Sequence, residues 1–187
     1  MKSLYSDNSA LTKDKRFSFL SEDIVAAGTT LRVQSILGFV SANTSSGQIL
    51  LIGNVGDEKV EIRRTVTNGY PSESYKEIAL QDTLKFDHPQ DTKVWIIDYD
   101  RVEAQWSQTA TGSKSTLFTY PFPIQPDKLE TDINESTKTS GYYFVRYNET
   151  LGNTNSDWSD PIPFGGFDDN SVLSIKLRAV DSIGETI

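Results

Sequence analysis

GYYFVRYNETLGNTNSDWSDPIPF, residues 141–164, reads as a β-hairpin. Tyr143, Val145 and Tyr147 fall on one face of an extended chain, and Tyr142, Phe144 and Arg146 on the other. Aromatic and β-branched side chains crowd these positions, which suits a pleated, half-buried surface. The polar, glycine-containing segment 148–156 is long enough to turn the chain back. The return strand carries Trp158 and stops at Asp160 and Pro161, because proline has no N–H to give to a ladder.

The flanking sequence extends this β reading. Residues 99–107 alternate, with Val102, Ala104 and Trp106 inward. Ser115 to Tyr120 reads as a strand ended by Pro121, Pro123 and Pro126. Within the hairpin, Tyr143, Val145, Arg146, Asn148, Gly152, Trp158 and Ser159 stand in the order of the last two strands of a fibronectin type III domain, which it resembles. The resemblance implies an abbreviated fibronectin III-like sandwich over 99–164, short of the usual number of strands. It implies nothing about function.

Residues 28–98 show short strands punctuated by turns. Leu31 and Val33 point inward from 30–35, and 48–53 is a continuous apolar run, as in a strand buried on both faces. Residues 58–66 alternate, placing Val60 and Ile62 inward and Lys59, Glu61 and Arg63 outward. Asn68-Gly69 is a hairpin signal. Strands follow at 76–80, 83–86 and 93–99, and the spacing predicts a small β-barrel or sandwich. A single long strand over 94–106 is expected to bridge this module and the next.

At the ends, residues 1–27 read as an arm with a short helical turn over 21–27, capped by Ser21. Phe17, Phe19 and Leu20 either anchor that arm in a neighbour's groove or form a first edge strand of the same domain. Residues 165–187 are expected to carry a C-terminal helix, with Val172, Ile175 and Ala179 at helical spacing. The predicted fold is therefore mainly β, with segments 1–27, 28–98, 99–164 and 165–187.

A second resemblance covers the first module. Ile52, Gly53, Gly56, Glu58, Glu61 and Ile62, followed by Leu84, Phe86, His88, Thr92 and Val94, match a strand pair and following strand seen in structural proteins of tailed bacteriophages. Together with the fibronectin-like segment, the similarity spans roughly residues 28–175. It implies a virion structural protein, at the neck or collar of the head–tail junction, assembled in the host cytoplasm. Its partners would be copies of itself, in a homo-oligomer, and portal, adapter or capsid proteins. Contacts would use Phe17, Phe19, Leu20, Phe164, Phe167, Val172 and Ile175. Capsid decoration, and a carbohydrate-binding or host-adhesion module built on exposed aromatics, are the alternatives.

Composition narrows the chemistry. The chain of 187 residues has a formal net charge of −8, which disfavours a nucleic-acid backbone as partner. It has no cysteine, hence no disulfide or thiolate metal site. No apolar run approaches the length of a membrane span, and the N-terminus lacks an apolar signal core. The only histidine, His88, stands before Pro89 with no nucleophile motif, and reads as a turn residue bonded to backbone. Asp157, Asp160, Asp168 and Asp169 lack EF-hand spacing. Neither a catalytic site, a cofactor nor a metal is expected.

Overall fold

In the computed structural model the described residues are 2–5, 17–37, 39, 47–66, 76–117, 122–127, 130–135, 138, 140–150, 155–165 and 171–176. They form strands and turns, with no helix among them. The chain divides into two compact units. The first comprises Ala10–Asp98, Pro126–Lys128 and Ala179–Ile187; the second comprises Met1–Ser9, Tyr99–Gln125 and Leu129–Arg178.

In the first unit, β2 (Phe17–Phe19), β7 (Lys93–Ile97), β4 (Ile49–Ile52) and β5 (Glu61–Arg64) form a four-stranded antiparallel sheet in that order. A second sheet pairs β3 (Thr30–Arg32) with β6 (Glu77–Ala79). Isolated bridges pin both margins: Leu20 to Val33 joins β2 to β3, and Thr65 to Leu80 joins β5 to β6. The result is two antiparallel sheets joined at their edges, not a closed barrel. Leu50 and Ile52 of β4, Val94 and Ile96 of β7, Leu31, Val33, Ile78 and Leu80 fill the space between the sheets. Fully burying such side chains stabilises by about 2 kcal/mol each. The run 49–52 is buried on both faces, as its unbroken apolar sequence predicts.

In the second unit, β10 (Phe122–Pro123), β8 (Arg101–Ser107), β12 (Ser140–Asn148) and β13 (Ile162–Gly165) form one sheet, with β9 (Ser115–Thr116) also pairing with β8. Tyr143, Val145 and Tyr147 share their face with Trp106, Ala104 and Val102, their partners in the β8–β12 register. A further sheet has the order β1 (Lys2–Tyr5), β14 (Ser171–Lys176), β11 (Glu130–Glu135).

Several expected elements are replaced. Residues 94–106 are two strands, because the chain bends at 98–100 and enters a different sheet. The Asp100 carboxylate there accepts hydrogen bonds from the Thr150 N–H and hydroxyl, 2.9 Å each. Residues 21–27 hold no helical turn. Ile24 instead exchanges two 2.9 Å backbone bonds with His88, which fixes it in an antiparallel bridge. Residues 83–86 form a loop. The C-terminal helix is a strand over Ser171–Lys176, whose backbone groups pair with β1 on one side and β11 on the other. Residues 177–187 lie outside the described residues.

The hairpin also differs in detail. Its return begins at Asn155, but the regular ladder starts only after Pro161, in β13. Between them, Ser156 and Ser159 pair with β12 through both backbone and hydroxyl. Tyr147 N–H donates to Ser156 Oγ at 2.9 Å and Val145 N–H to Ser159 Oγ at 3.1 Å. The serine N–H groups return to Tyr147 O and Val145 O at 3.0 and 2.8 Å. The two hydroxyls stand in for strand carbonyls. Pro163 is tolerated in β13 because that strand is at the edge of its sheet.

Candidate functional site

The described residues proposed for contacts are divided between the two units. Phe17 and Phe19 form the edge strand β2, so the same-domain alternative is the one observed. The Phe17 ring lies 4.7 Å from Trp95, and Phe19 meets Phe17 edge-on at 5.4 Å. Leu20 is fully buried in the first unit's core. Phe164 belongs to the second unit, where it stacks on Tyr143 at 3.9 Å. Val172 and Ile175 occupy β14, in register with Asn134 and Thr131 of β11. Phe167 lies outside the described residues.

The charged cluster that stands out is one the alternation of 58–66 hides. Glu61 pairs with Ile52 and Arg63 with Leu50 in the β4–β5 register, so both project from the core face. Glu61 is 4% exposed and His88 3% exposed. The expected phase is therefore reversed for Glu61 and Ile62, while Val60 is buried as expected. Ile62 takes the other face, and Val60 is buried just before the strand, against Gly53. The reason lies far away in sequence. The Glu61 carboxylate accepts the N–H groups of Lys85 (2.9 Å) and Phe86 (3.2 Å), and its Oε1 is 2.8 Å from His88 Nε2. Arg63 forms an ion pair with it and donates from Nε to the Thr83 carbonyl at 2.8 Å. Burial alone pushes the Glu61 pKa up. The His88 hydrogen bond, the Lys85 amide, the Arg63 charge and the Phe86 amide outweigh it and hold the pKa below the ordinary carboxylate value. His88 is a bridge residue rather than a turn residue: its main chain bonds Ile24, and its ring meets the buried Glu61 carboxylate instead of backbone.

This cluster fixes the loop 83–88, and that loop fixes the turn 24–28. Beyond the Ile24–His88 bridge, Ala26 N–H donates to Asp87 Oδ1 at 2.7 Å and Ala27 N–H to the Leu84 carbonyl at 2.8 Å. Leu84 N–H returns to the Gly28 carbonyl at 2.9 Å, and Gln90 N–H donates to Asp23 Oδ1 at 2.7 Å. Ala27 is held at φ 67°, a conformation that an L-residue with a Cβ adopts only when its surroundings impose it. The turn displays exposed Val25, Ala26 and Ala27, with Val25 70% exposed. It is an apolar tip on a base tied by these hydrogen bonds. Nothing in the sequence of 21–28 marks it except the run of small apolar residues before Gly28.

Glu61 and His88 are both engaged within the fold. Every Glu61 valence is taken by a donor within the fold, and both side chains are closed off from solvent. Among the described residues no group of three or more His, Asp or Glu is placed to hold a metal ion. Each indole has a ring contact: Trp95 with Phe17 and, at 5.1 Å, Lys93 Nζ; Trp106 with Lys138 Nζ at 4.6 Å; Trp158 with the Arg146 guanidinium at 4.4 Å. Arg146 is itself paired with Glu103 at 2.7 Å. Comparison with known proteins found no matching family model, no similar curated protein and no similar solved structure.

Proposed function

We propose that this chain is a non-enzymatic structural component of a tailed-phage virion, acting at the neck or collar through subunit–subunit contacts. The observation that carries the contact reading is the apolar tip Val25–Ala27. It is exposed, conformationally strained and braced by a buried acid–histidine pair, an arrangement that costs stability locally and that a bare turn does not need. The phage assignment rests on the sequence resemblance. It is supported by how that motif's residues converge: Glu61 meets His88, while Ile52, Leu84 and Val94 share one core. The fibronectin III-like reading of the second unit is supported by the Arg146–Trp158 stack and by the Ser159 bonds to Val145. Its partners are copies of itself and neighbouring neck or capsid proteins, and its place is the virion. The engaged indoles argue against a sugar-stacking platform.

The test is incorporation. Purified particles are analysed for the chain by mass spectrometry, and its density is located in a particle map at symmetric positions. Val25→Asp is expected to reduce incorporation severalfold while leaving the urea midpoint of the isolated protein unchanged. Absence of the chain from particles, or normal incorporation of Val25→Asp, refutes the proposal as stated.

A further inference from the structure

We infer that the N-terminal strand β1 is exchanged between copies, pairing with β14 of a neighbouring chain. This rests on the self-assembly proposed above and names the element that performs it.

Four features of the described residues point to it. β1 pairs parallel with β14, with Lys2 opposite Leu173 and Tyr5 opposite Lys176, whereas every other strand ladder is antiparallel. No hairpin therefore ties the two strands together. β1 is an edge strand of only four residues, and it pairs with β14, which lies far from it along the chain. Third, β1 belongs to the second unit while β2, the next strand in sequence, is seated in the first unit against β7 and Trp95. Residues 6–16 connect them, a length that could span up to ~40 Å if extended. Fourth, removing β1 would leave β14 as an open edge with unpaired backbone groups, a template for any identical strand.

The exchanged and unexchanged pairings make the same contacts. Only the connection and the local concentration of the partner decide between them. In a ring each copy holds its neighbour's β14 at fixed close range, and exchange converts that proximity into a backbone-bonded link between subunits.

The chain contains no cysteine, so an introduced pair reports without background. Ser3 and Ser174 are register partners. Ser3→Cys and Ser174→Cys are made as single variants of the full chain, one with a size tag, and are refolded together and oxidised. The expected result is a mixed, disulfide-linked dimer on a non-reducing gel, with an oligomer by light scattering. If the mixture stays unlinked while the double variant Ser3→Cys/Ser174→Cys closes within single chains, and light scattering still shows an oligomer, exchange is overturned and self-assembly stands. A monomer by light scattering overturns both. Failure of every pair to form a disulfide overturns the β1–β14 pairing, and the inference with it.

Discussion

Replacing Glu61 by alanine removes the acceptor on which the loop 83–88 depends. The two amides of Lys85 and Phe86 lie in part-buried surroundings, and each costs about 1 kcal/mol when left without a partner. The buried His88 Nε2 contributes about 2 kcal/mol more, and the part-exposed Arg63, which keeps its bond to the Thr83 carbonyl, adds little. The sum is roughly 4 kcal/mol, in the range for breaking a buried charged pair. At 4–8 °C per kcal/mol for a unit of this size, that is a fall in Tm of about 15–30 °C. Glu61→Gln is expected to lose about half as much. Its amide oxygen still accepts a backbone N–H, and its NH2 can donate to the other His88 tautomer. Glu58→Ala, exposed in the turn before β5, should stay within about 0.5 kcal/mol. The assay is urea unfolding followed by Trp95 fluorescence in a background with Trp106 and Trp158 changed to Phe, so that the first unit reports alone.

The same variant carries a pH signature. The folded Glu61 pKa lies below its ordinary value of 4.5, so its contribution is fully present above about 4.5 and is lost as pH falls through the folded value. The gap between wild type and Glu61→Ala is therefore widest near neutrality and narrows below about pH 4.5. A gap smaller than about 1 kcal/mol at pH 7, or one unchanged between pH 7 and pH 3, refutes the clamp.

Three further outcomes test the second unit. Gly141→Ala should destabilise by more than about 2 kcal/mol, read by thermal unfolding. Its φ of 132° excludes ordinary side chains, and a Cβ would sit 2.6 Å from Trp106 Nε1 and 2.7 Å from the Ser107 carbonyl. Ser159→Ala leaves the Val145 amide without its hydroxyl acceptor and should cost about 1 kcal/mol, with faster hydrogen exchange at Val145 than at Phe144. Arg146→Met removes the cation above Trp158 and strands the Glu103 carboxylate. A loss of about 1–2 kcal/mol with a shifted Trp158 emission is expected, and unchanged emission counts against the stack.

What the sequence discloses follows from how far the deciding contact lies along the chain. The faces of β12 are legible because Tyr143, Val145 and Tyr147 alternate with partners that alternate the same way on β8. The doubly buried β4 is legible from four consecutive apolar residues. The 171–176 segment is ambiguous, since a short apolar run fits both periods. Pairing with β11 and β1, more than 30 residues away along the chain, selects the strand. The shape of the turn at 24–28 is invisible in the sequence, because the hydrogen bonds that hold it come from residues 84–90 and not from its own composition.

The reversed phase of Glu61 and Ile62 in β5 is the most instructive case. Hydrophobicity alone favours Val60 and Ile62 inward, and a shift of one residue would deliver that arrangement with Glu61 in water. The observed register instead places Glu61 and Arg63 beside Ile52 and Leu50, which is tolerable only because residues 83–88 supply donors and an acceptor. The buried pair thus acts as a register pin: it penalises the slipped strand by leaving His88 and the loop amides unpartnered. Replacing both Glu61 and His88 by leucine separates stability from specificity. Removing both members of a buried pair is commonly neutral or stabilising, so the urea midpoint should recover well above that of Glu61→Ala. The register should nevertheless loosen, seen as weakened or doubled cross-strand contacts between Ile52 and position 61 in NMR spectra. A double variant as unstable as Glu61→Ala, or one with a single sharp wild-type register, would show that packing and not the charged pair sets the phase of this strand.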